Sequence, residues 1–277
     1  MSHSKRKRNR HSRSQDSGTI APAVSPFFTR LPLILIASLF LLSFVSRVQA
    51  NAALVHAFWA ASFMLLVWHV FLCVDARRRR VNRTCEIALR AQHYLQAVVQ
   101  LSVFVYWGWY WRPVYDHGWL LVAQLLFAYA FDLLLSYSRR NNYVLGFGPF
   151  PIIFSTNLFL WFRDDWFYLQ FLMIALGFLG KEFIRWERDS RRVHIFNPSA
   201  FSLGLFSLIL IINGGTSITW AEEIATTLTL APSIYLFLFL VGLVVMYFFS
   251  ITLVAGSAAI VLFGLSALYS AATGVPY

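Results

Sequence analysis

The residues best equipped for chemistry lie between Lys181 and Asn213, where Lys181, Arg185, Arg188, Arg191, Arg192 and His194 precede Phe196-Asn197-Pro198. Asn is a preferred helix N-cap and Pro suits the first helical position, so Asn197 and Pro198 predict a helix start, with Ser199 through Ile212 as the helix. The free N–H groups of its first turn, facing a cationic loop, would make a seat for an anion or a phosphate. A basic cytoplasmic loop of any membrane protein has the same composition and needs no ligand. Asp132 is a second candidate: a carboxylate inside an apolar run reads either as part of an ion or proton path or as a partner for Arg139 or Arg140. Thr156 and Asn157 are a third. They follow Gly146-Phe147-Gly148-Pro149-Phe150-Pro151, where two prolines interrupt regular helix and can open backbone and polar side chains to a substrate or ion.

The elements that must position these groups are apolar. Of 277 residues, 58% are hydrophobic and only 13% charged, outside the range of ordinary soluble domains. The predicted class is all-α, a polytopic helical membrane protein with about eight or nine transmembrane helices and discontinuous elements near 146–151 and 197–198. Spans are placed at 31–49, 53–74, 92–111, 119–137, 144–162 and 166–184, with a shorter one at 198–213. The run 233–272 is too long for one crossing and must split, with Ser250 or Gly256-Ser257 as the weak points. Residues 1–30 read as a disordered basic cytoplasmic tail, and 31–277 as the transmembrane domain.

Charge placement supplies the orientation. With the N-terminus inside, every Lys and Arg except Arg47, Arg112 and Arg163 falls on the cytoplasmic side, as the positive-inside rule requires. The net charge of +11 therefore reports topology and not nucleic-acid binding, because no soluble domain presents it. Trp107, Trp109, Tyr110, Trp111 and Trp119 read as an interfacial aromatic belt, or alternatively as a stacking surface for a quinone or flavin ring. This topology predicts an integral membrane protein with a cytoplasmic N-terminus, and the expected compartment is a bacterial inner membrane.

Other chemistry is poorly served. His56, His69 and His93 lack the second axial pair of a two-haem cytochrome, which argues against haem, and no H-x-x-x-H cluster provides for a metal. Phosphate-loop and dinucleotide fingerprints are absent from the sequence, and Cys73 and Cys85 are the only cysteines.

Lys181, Arg185, His194 and the run Phe196-Asn197-Pro198-Ser199-Ala200-Phe201 together resemble the NqrB/RnfD family of membrane subunits, in which a basic loop leads into Phe-Asn-Pro-Ala at the start of a span. The resemblance covers roughly residues 119–272 and is nearest to looser relatives associated with enediyne biosynthesis. It implies a helical, flavin-associated subunit that passes electrons within a larger electron-transport complex, with quinone as a candidate partner, and that in some members is coupled to ion movement. It further implies that Lys181, Arg185, His194, Asn197 and Pro198 hold FMN or riboflavin noncovalently, with Thr156 and Asn157 beyond the interrupted segment. The family's Ser-Gly-Ala-Thr attachment motif is missing. Its nearest approximation, Gly214-Gly215-Thr216, speaks against covalent FMN at Thr216. The sequence thus leaves three readings open: an electron-transfer subunit, a cofactor-free transporter or channel, and a scaffold that has lost its redox role.

Overall fold

A computed structural model describes residues 26–188, 191–249 and 252–274. Helix α1 (Pro26–Leu42) is followed by the single turn α2 (Ser46–Gln49), the long α3 (Ala52–Arg79) and strand β1 (Thr84–Ile87). Next come α4 (Ala91–Tyr110), the short α5 (Pro113–Asp116), α6 (Gly118–Arg139), β2 (Asn142–Leu145) and α7 (Pro149–Asn157). Then α8 (Tyr168–Phe183), strands β3 (Arg185–Arg188) and β4 (Arg191–His194), and α9 (Pro198–Ile212) follow. Beyond them lie α10 (Ala221–Thr227), α11 (Ile234–Phe249) and α12 (Thr252–Thr273).

The fold is helical, as its composition predicts, and among the described residues it holds three helices long and apolar enough to cross a membrane. These are α3, α6 and Ala255–Thr273 within α12. A fourth arises if Ala221–Leu230 and Ile234–Phe248, bent by 99° at their junction, count as one span. The expected eight or nine crossings are not all single long helices. The segment 31–49 divides at Leu42, where Ser43 Oγ donates to the Phe40 carbonyl and the chain turns before α2. The segment 144–162 holds the end of β2 and the nine-residue α7. Here Pro149 and Pro151 occupy the first turn of α7, so they begin a helix and do not interrupt one: Pro lacks only an N–H that has no intrahelical partner there. The 233–272 run is divided into α11 and α12, of which α12 continues unbroken through Gly256 and Ser257, while Ser250 lies outside the described residues.

Helix α6 is the centre of the bundle. Its Leu, Ala and Phe side chains point to all sides, and α1, α3, α7 and α8 pack around it. Phe58 of α3, Phe127 of α6 and Phe171 of α8 meet in its core, with Phe127 and Phe171 centroids 4.8 Å apart. Helix α9 lies against α8 at two glycines: a Cβ at Gly177 would come within 3.1 Å of the Pro198 carbonyl oxygen, and one at Gly180 within 2.7 Å of the Phe201 ring. By contrast, no residue in the apolar window of α12 is buried.

Two small β ladders join the helix ends. Strands β1 and β2 run parallel, with Cys85 opposite Tyr143 and Glu86 opposite Val144, and so tie the α3–α4 connection to the α6–α7 connection. Strands β3 and β4 form an antiparallel pair with Arg185 opposite His194, where a basic loop was expected. At the opposite end, the Phe162 backbone bridges to Thr219.

Candidate functional site

Five helix ends and β2 enclose a cavity of about 710 Å³. Its lining includes Arg90 and His93 from the start of α4, and Asp132, Ser136 and Arg140 from the end of α6. Gly148 and Ser155 come from α7, Lys181 and Glu182 from the end of α8, and Phe196 through Ser199 from the start of α9. Three helix N-termini, those of α4, α7 and α9, therefore converge on one space, and each contributes the positive end of its dipole. The α9 terminus is built as its sequence suggests: Asn197 Oδ1 accepts from the Ser199 N–H at 3.2 Å and from Ser199 Oγ at 2.8 Å, and Pro198 stands at the first helical position. Helices α4 and α7 have no side-chain cap hydrogen bond.

The walls carry four permanent cations, Arg90, Arg140, Lys181 and Arg185, against two carboxylates, Asp132 and Glu182. Glu182 Oε2 serves two of them, accepting from Arg140 Nη2 at 2.8 Å and from Arg185 Nη2. Arg185 is further fixed by donating from Nε to the Lys181 carbonyl at 3.2 Å. Asp132 lies 3.7 Å from Lys181 Nζ, an ion pair without a close hydrogen bond. Burial foremost, and then the negative charge of Asp132, hold the pKa of the Tyr143 phenol well above the usual value. Among the described residues Arg90 has no carboxylate partner. A surplus of positive charge beside three helix N-termini suits an anion, and the size suits a ligand of cofactor dimensions.

The structure thus brings together Asp132, Lys181, Arg185, Asn197 and Pro198, which sequence reasoning had picked out from separate segments. The His194 backbone pairs with Arg185, while its side chain lies outside the described part of the structure. Thr156 and Asn157 do not line the cavity. Thr156 Oγ1 donates to the Ile152 carbonyl at 2.7 Å, and Asn157 belongs to a fully buried amide cluster with Gln124 and Gln170. Both lie on a different face of α7 from the cavity-lining Ser155, since each residue along a helix turns by about 100°. Asp132 pairs with Lys181, and Arg140 with Glu182, in place of the expected partnership of Asp132 with Arg139 or Arg140. Thr216 opens a 3₁₀ turn beyond the far end of α9.

His69 contacts Cys73 one turn along α3, with Sγ 3.5 Å from Nε2, while His93 lines the cavity. Arg90, Tyr143 and Glu182 are site residues that the sequence did not reveal. The polar–apolar alternation of Thr84–Ile87 was a faint signal for the ladder that brings in Arg90 and Tyr143, while Glu182 arrives with the end of α8.

The opposite end of the bundle carries an aromatic cluster. Trp107, Trp111, Trp161 and His117 stack, with the His117 and Trp161 centroids 4.9 Å apart. Trp107 of the supposed interfacial belt is buried, packed beside the buried Trp161, whereas Trp109 is 74% exposed. No family model, curated protein or solved structure matches this chain.

Proposed function

We propose that this chain is a multispan membrane protein whose cavity binds a phosphorylated cofactor of the flavin mononucleotide type without a covalent bond, and that it serves as an electron-transfer subunit. The carrying observation is the cavity: about 710 Å³, a surplus of cationic side chains, three helix N-termini and the aromatic Phe196 on its wall. The charge and the helix ends support an anionic group; the flavin ring rests on the resemblance of the Lys181–Phe201 segment. Arg140, Arg185 and Lys181 would hold the phosphate, and Asn197 would keep the α9 terminus rigid. A bound flavin would contribute one- and two-electron transfer, and partner subunits would give and take the electrons. The test is the absorbance spectrum of the purified full chain together with analysis of what it releases on denaturation. A yellow preparation that yields FMN supports the reading, and a colourless one overturns it.

In this proposal the shorter apolar helices complete eight or nine crossings of a bacterial inner membrane, with the N-terminus and the cavity on the cytoplasmic side. The distribution of Lys and Arg supports that orientation. A second reading, transport of a small anion or ion, is favoured by one observation. The Asp132–Lys181 pair stands on the cavity wall beside α7, whose nine residues reach only about 13 Å, roughly half a membrane. Flux in reconstituted vesicles that Asp132→Asn abolishes would favour transport; unaltered flux would remove it.

A further inference from the structure

A second, much smaller cavity of about 10 Å³ lies between the amide cluster and the aromatic cluster, walled by His117, Gln124, Asn157 and Trp161 among others. Its size corresponds to a single water molecule, for which roughly 10–15 Å³ of this kind of space is needed.

The polar atoms around it are complementary to water. His117 Nδ1 lies 2.7 Å from the Pro113 carbonyl oxygen, which can only accept, so Nδ1 carries the ring proton. In the neutral ring Nε2 is therefore a bare acceptor, and it is buried with no donor among the described residues. Trp161 Nε1 is in the opposite position: an indole N–H can only donate, and this one is buried with no acceptor. Both residues are more than nine-tenths buried, His117 at 6% exposure and Trp161 at 2%. Their rings are stacked, an arrangement that satisfies neither nitrogen in the ring plane. Gln124 spends one amide hydrogen on Asn157 Oδ1, and its second is available on the same wall. An orphaned buried polar group costs about 1–3 kcal/mol, so two in one place call for a shared partner.

We infer that this cavity is a binding site for one ordered water, which donates to His117 Nε2 and accepts from Trp161 Nε1 and Gln124. Three hydrogen bonds are the usual complement of a buried water. The water joins the amide cluster of α6, α7 and α8 to the aromatic cluster, so that the polar interior continues from mid-bundle to the end opposite the large cavity. The inference is independent of the flavin proposal, since none of these residues lines the large cavity.

The test is a density map of the full chain fine enough to show ordered water, paired with the ¹⁵N spectrum of its histidines. The expected result is one peak within about 3.2 Å of both His117 Nε2 and Trp161 Nε1, with His117 in the Nδ1–H form. Absence of the peak overturns the inference, as does a His117 ring protonated at Nε2 at neutral pH. If Trp161→Phe is solved in the same way, the water should lose occupancy, because the indole N–H donor is gone while a phenyl ring stands in its place. Unchanged occupancy in that variant would equally overturn the assignment.

Discussion

Glu182 divides one carboxylate oxygen between two guanidinium groups, which makes it the side chain on which the charge of the large cavity turns. Glu182→Gln should lower stability by about 1–3 kcal/mol, because charge-assisted hydrogen bonds are lost. It should at the same time tighten binding of inorganic phosphate several-fold, since one opposing charge is removed; thermal melts and phosphate titration measure the two effects. Asp132→Asn should cost less than about 1 kcal/mol, because its Lys181 partner is 3.7 Å away and part exposed. His117 gives a pH signature. Burial chiefly lowers its pKa below 6.5, with Arg47 acting in the same direction and the Pro113 hydrogen bond, Asp164 and Asp116 opposing. The unfolded chain therefore takes a proton on this residue before the folded chain does. Stability falls as pH drops below about 6.5 and levels off once the folded form also protonates. Comparing the melting temperature of the parent chain with that of His117→Gln between pH 7.5 and pH 5 checks this, and the variant should show the shallower decline. At this scale the sequence was informative where interactions are local. The Asn197 cap depends on residues two positions apart and could be read directly, whereas the Lys181–Asp132 and Arg140–Glu182 pairs are set by helix packing that no spacing encodes.

The helices meet closely at glycines, and the neighbours of those glycines decide how much change is tolerated. A Cβ at Gly146 would lie 2.5 Å from the Ala88 backbone oxygen, which cannot move without disturbing the β1–β2 ladder. At Gly180 the neighbour is the Phe201 side chain, which can rotate. Gly146→Ala should therefore lower stability by about 1–3 kcal/mol and Gly180→Ala by less, as chemical denaturation of the two variants would show. Gln124→Leu should cost a similar amount, because Asn157 and Gln170 would each lose a buried partner. Helix positions were legible because long apolar runs dominate this sequence, and α3, α6 and α9 fall close to where those runs lie. The four strands were not. Each is four residues long, too short for alternation to stand out beside apolar helices, and the Val144–Leu145 end of β2 was absorbed into the span expected at 144–162.

Across the whole molecule, the basic helix ends and the large cavity occupy one end, and the aromatic cluster and the acidic α10 the other. A single cysteine placed at Thr216 of a cysteine-free variant should react with a membrane-impermeant reagent added outside intact cells, and one placed at Arg80 only after the cells are opened. The reverse pattern would invert the proposed orientation. The helical class followed from composition, but the number of crossings did not, because a short helix, a bent pair and a long helix can have similar apolar content. The parallel β1–β2 pairing also governs the order in which this protein can be assembled. Strand β1 leaves the ribosome well before β2, and at about 5–20 residues per second it waits several seconds while α4 and α6 are synthesised. The cavity is not walled in until α9 has followed. Any ligand it holds must consequently be captured late in synthesis, and a nascent chain arrested before α9 should have the ladder but no closed site.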